Sequence, residues 1–84
     1  MAVTVKFFAS VREALGASSE SLELPAGVAT VGALRAHLAA RGEVWRQALG
    51  SPALRMACNQ VMCGAEAVLA DGAEVAFFPP VTGG

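Results

Sequence analysis

DGAEVAFFPP, residues Asp71 to Pro80, decides how the rest of the chain is read. Asp71-Gly72 is a strong turn dipeptide, because glycine readily takes the left-handed backbone of a tight reversal. After it the side chains alternate: Val75 and Phe77 fall on one side of an extended strand, and Glu74, Ala76 and Phe78 on the other. Pro79 and Pro80 have no backbone N–H and each fixes its own φ, so the strand stops there and the chain leaves it stiff and extended. If Val75 and Phe77 face the core, Phe78 faces out.

The same two-residue period opens the chain. AVTVKFF, residues 2–8, sets Val3, Val5 and Phe7 against Thr4, Lys6 and Phe8, a half-buried strand that turns Phe8 outward beside Lys6. In SVREALG, Ser10 and Glu13 have capping-box spacing and Gly16 can supply a left-handed stop, which predicts a short helix. SESLELP, residues 19–25, gives a second alternating run that can pair with the first. From Thr30, a candidate N-cap, the period changes: Val31, Leu34 and Leu38 form one stripe of a principal helix that Gly42 can end.

EVWRQAL, residues 43–49, reads as a further helical turn or two, stopped by Gly50 and the Ser51-Pro52 turn. LRMACNQVMC reads as two short strands reversing at Asn59-Gln60, with Val61 inward and Met62 outward. The result is an α+β chain in which one sheet is packed on one face by the main helix.

Length and composition narrow the function. Eighty-four residues suit one domain, and 55% hydrophobic against 15% charged residues argues for a folded one. Net charge is −1 and the six cations are scattered, so no nucleic-acid footprint is present. The apolar stretches are too short to span a membrane and no secretory leader opens the sequence, so the expected location is cytoplasmic. Cys58 and Cys63 are too few for a disulfide framework and lack further metal ligands, so they are read as small apolar side chains and no metal is expected.

Catalytic groups are scarce. His37, the single histidine, lies on the flank of the main helix, and neither a phosphate-binding loop nor a dinucleotide turn occurs, so no cofactor is expected to be bound. Two features remain. Phe8, Met62 and Phe78 share the outward sheet face, which is either a binding surface or a face covered by the chain's own loops. The run Pro79-Pro80-Val81-Thr82-Gly83-Gly84 reaches at most roughly 20 Å when extended, and glycines without Cβ atoms suit a narrow channel. Its carboxylate, ionised at neutral pH, is a poor electrophile until a partner activates it.

FFPPVTGG, together with VREALG, TVGALRAHLA and DGAEVAFFPP, resembles the small-subunit family of molybdopterin synthase over almost the whole chain. The resemblance implies a ubiquitin-like β-grasp with a mixed sheet, a single domain over residues 1–80 and a flexible tail over 81–84. It implies a sulfur carrier that is the non-catalytic subunit, with the active site in the large subunit of a heterotetramer. An adenylating partner related to ubiquitin-activating enzymes would use ATP to activate Gly84, and a persulfide sulfur donor would then make it a thiocarboxylate. The thiocarboxylate would pass its sulfur to cyclic pyranopterin monophosphate in molybdenum cofactor synthesis. Gly83 and Gly84 would be the functional terminus, with Phe8, Met62, Phe78, Pro79, Pro80, Val81 and Thr82 binding partners. Carriers for thiamin thiazole and ubiquitin-like protein modifiers share the Gly-Gly end and stand as alternatives.

Overall fold

The computed structural model describes residues 1–80. Its elements are β1 (Ala2–Phe7), α1 (Ala9–Leu15), β2 (Ser19–Glu23), α2 (Val31–Ala39), α3 (Glu43–Leu49), β3 (Arg55–Cys58), β4 (Val61–Cys63) and β5 (Glu74–Phe78). The strands form one sheet in the order β2-β1-β5-β3-β4. β1 and β5 run parallel, with Val5 opposite Val75 and Phe7 opposite Phe77, while the other pairs are antiparallel. This mixed sheet under a principal helix is an α+β, ubiquitin-like β-grasp.

The alternation in the two central strands sets the core. Val3, Val5, Phe7, Val75 and Phe77 are all buried, and they meet Val31, Leu34 and Leu38 from α2 and Leu49 from α3. The Phe7 ring stacks on Phe77 at a centroid distance of 6.4 Å and meets Trp45 edge-on at 5.8 Å. Thr30 caps α2 through its Oγ1, which accepts from the Ala33 N–H at 3.1 Å. Asn59 and Gln60 both take positive φ, 52° and 68°, as a two-residue hairpin turn needs.

Several expectations are corrected. The Ser10/Glu13 capping box does not form: α1 starts at Ala9, with Phe8 as an N-cap that has no side-chain bond, so Ser10 already lies within the helix. Gly42 does not end α2; Ala40 does, and Gly42 instead begins α3. Val61 lies on the sheet's inner side, opposite Cys58, yet it is 66% exposed, because β4 is an edge strand beyond the cover of the helices. Gly50 is the C-cap of α3 but in the right-handed region, φ −91°, and a Cβ there would meet the Arg46 carbonyl at 2.4 Å.

Candidate functional site

The outward face of the sheet is divided in two. Over β2 and β1 it carries exposed Ser19, Ser21 and Glu23 and half-buried Thr4 and Lys6. Lys6 pairs with Glu74 at 3.6 Å across the β1–β5 boundary. Beyond that boundary the face turns apolar: Ala76 lies beside Ala57, and Ala57 beside Met62.

Phe8 and Phe78 complete this half. The Phe8 N–H donates to the Phe77 carbonyl at 3.2 Å, which carries the parallel register one step past Phe7 and sets Phe8 beside Phe78. Burial of Phe7 and Phe77 holds their successors on the opposite side, because adjacent strand side chains point to opposite faces. Ala9 then takes φ 51° and the chain turns into α1, which sends Val11 into the core. Phe8 is 45% exposed, Met62 59% exposed and Phe78 half-buried, so no loop of the described residues covers the face.

Pro79 and Pro80 continue from Phe78, the first half-buried and the second exposed. On their helix side lies a groove of about 230 Å³, lined in part by Val11, Ala48, Leu54 and both prolines. The chain therefore leaves β5 between an apolar sheet face and a shallow groove. Val81, Thr82, Gly83 and Gly84 lie outside the described residues. The groove has no signature in periodicity, because two helices, α1 and α3, and the segments after α3 and β5 build it from distant parts of the sequence.

Chemistry elsewhere is sparse. Cys58 and Cys63 are free and half-buried on the inner side of the β3–β4 hairpin. Partial burial, then the proximity of Cys58 and Glu66, pushes the Cys63 thiol up, which lowers its thiolate fraction at neutral pH. Among the described residues no three His, Cys, Asp or Glu side chains are grouped to hold a metal. His37 is half-buried in the last turn of α2. No described helix is long and apolar enough to cross a membrane.

Comparison with known proteins identifies the family of the chain. The ThiS family model matches residues 5–84. The molybdopterin synthase sulfur carrier subunit of Escherichia coli (strain K12) is 48% identical over 82 residues, covering 98% of this chain and 99% of the relative. Its counterpart in Haemophilus influenzae is 43% identical, with the same coverage. A chain in the solved complex of subunits 1 and 2 of the molybdopterin-converting factor from Helicobacter pylori superposes with a TM-score of 0.71. It is 27% identical, with full coverage of both chains.

Proposed function

The chain belongs to the ThiS family and is a sulfur carrier, and from that premise we propose that it carries sulfur as a thiocarboxylate on Gly84 for molybdopterin synthesis. The observation that carries this reading is the continuity of the Phe8–Phe78–Met62 face with Pro79-Pro80. A partner that grips the face receives the following residues at a fixed point of departure. Two prolines in succession limit the directions the chain can take from there.

The carrier supplies docking and delivery, and its partners supply catalysis. An adenylating enzyme converts the Gly84 carboxylate to an acyl adenylate with ATP, which gives the carbonyl a good leaving group. The terminal sulfur of a persulfide donor then attacks that carbonyl and displaces AMP to give an acyl disulfide, and a partner thiol cleaves its S–S bond, releasing the thiocarboxylate and leaving a disulfide on the partner. In the large synthase subunit the thiocarboxylate sulfur passes to cyclic pyranopterin monophosphate, and glycines at 83 and 84 present no Cβ to a narrow channel. The Helicobacter pylori structure, a complex of subunits 1 and 2 of its factor, supports a second-subunit partner; the proposed assembly is a heterotetramer with two copies of this chain.

Intact-mass spectrometry after incubation with the activating enzyme, ATP and a sulfur donor tests the proposal. Exchange of one terminal oxygen for sulfur raises the mass by about 16 Da if the activated-carboxyl chemistry occurs. Addition of the large subunit and its pterin substrate should then return the mass to its starting value. An unchanged mass with enzyme that activates another carrier would sink the proposal.

A further inference from the structure

The cations of this chain divide into two sets. Lys6 pairs with Glu74, Arg41 with Glu20 and Arg46 with Glu43, and Arg35 donates to the Leu49 and Ser51 carbonyls. Even the Met1 ammonium is paired, with Glu23. Arg12 and Arg55 are exposed and have no side-chain hydrogen bond or ion pair among the described residues.

Both unpaired cations flank the apolar face. Arg55 is the cross-strand partner of Phe78, and cross-strand partners share a face. Arg12 follows Phe8 by four residues, and its N–H donates to the Phe8 carbonyl at 3.3 Å. Phe8 is the N-cap of α1, so Arg12 stands one helical turn beyond it. The carboxylate on this half of the face, Glu74, is already held by Lys6. Glu66, whose carboxylate lies against Gly64 just past β4, makes no ion pair with Arg55.

We propose that Arg12 and Arg55 form a cationic rim around the docking face, and that the large synthase subunit presents carboxylates opposite both. This rests on the carrier reading above and adds the charge chemistry of the partner. Rim charges act chiefly on encounter: they steer association and set its salt dependence, while the buried apolar contacts hold the complex. The aromatics are then responsible for residence time, and the two arginines for capture rate and orientation.

Stopped-flow association with the large subunit separates these roles, using R12Q, R55Q and the double reversal R12E/R55E beside Phe78→Ala. The double reversal should slow association at least about tenfold at low salt and change dissociation less than about threefold. The difference should largely vanish near 0.5 M salt, where screening shortens the reach of charge to a few ångströms. Each glutamine variant should fall between the extremes, and circular dichroism confirms that the exposed substitutions keep the fold. Association that is unchanged or faster in R12E/R55E, with Phe78→Ala still weakening the complex, overturns the rim and leaves the carrier reading standing. Failure of the unaltered chain to bind the large subunit overturns both.

Discussion

Arg41 grips Glu20 with two parallel hydrogen bonds, at 2.8 and 2.5 Å. The pair ties the loop after α2 to the edge strand β2, and the same guanidinium sits 4.6 Å from the centre of the Trp45 ring. Hydrogen bonding from Arg41 is the main cause that holds the Glu20 carboxyl below its ordinary range; partial burial opposes it and the Arg41 charge adds to it. Because the folded pKa is depressed, the stabilisation is present above the unfolded value and is lost as pH falls through the folded one. Glu20→Gln should therefore lower stability at pH 7, by no more than about 1 kcal/mol for so solvent-screened a pair. Urea unfolding of both proteins across a falling pH series from pH 7 checks this: the gap should narrow as the pH falls below the unfolded value.

Adjacent phenylalanines should respond in opposite ways. Phe77 is fully buried against Phe7, so Phe77→Ala is expected to destabilise the fold by about 3–5 kcal/mol. Phe78→Ala removes a half-buried ring from the outer face and should cost stability about 1 kcal/mol or less, while dissociation of the large subunit accelerates at least about tenfold. Thermal melts and dissociation kinetics on the two variants give the contrast directly.

Gly50 admits no side chain where it stands. Gly50→Ala would drive a methyl into the Arg46 carbonyl, and the local shift should cost about 1–3 kcal/mol. Arg35 bonds the carbonyls on either side of this position, those of Leu49 and Ser51, at 2.5 and 2.6 Å. Denaturant titration of Gly50→Ala measures the loss, and Arg35→Ala in the same background should be less than additive.

Removal of Gly83 and Gly84 should leave the melting temperature unchanged and abolish sulfur loading. Pro79→Gly with Pro80→Gly poses the subtler test. Binding through the sheet face should persist, while sulfur delivery slows several-fold because the departure of the chain from β5 is no longer constrained. Single-turnover transfer from a preloaded carrier measures this apart from loading.

The central features of the fold were legible because a strong local signal and the tertiary demand agree. Val75/Phe77 and Val3/Val5/Phe7 alternate without interruption, and Val31, Leu34 and Leu38 keep the helical period; all eight are buried. Asn59-Gln60 carried a weaker signal than Asn-Gly, and the structure supplies what local sequence could not. Asn59 exchanges hydrogen bonds with the Glu74 backbone, its N–H donating at 2.7 Å and its Oδ1 accepting at 3.0 Å, so β5 anchors the turn.

Boundaries were less legible. Ser10 lost its capping role because Phe8, fixed by the Phe77 carbonyl, starts the helix earlier, and Val61 follows the inward phase on an edge where nothing covers it. Within the candidate site, alternation alone located Phe8, Met62 and Phe78. Arg12 and Arg55 escaped notice because an unpaired charge is recognisable only once every other pairing is known.

The parallel seam between β1 and β5 also governs the order in which the molecule is made. Among the described strands the earliest made, β1, has the latest made, β5, as its central neighbour, and β3 and β4 reach β1 only through β5. A nascent chain interrupted before Glu74 can form α2 or the β1–β2 ladder locally, but Val5 and Phe7 lack their parallel neighbours Val75 and Phe77 and the core is not closed. Cooperative folding must therefore wait until translation has passed Phe78, leaving prematurely stopped chains unfolded and open to proteolysis. The topology acts as a proofreading step, one that withholds the assembled sheet face from any product too short to include the strand that carries Phe78.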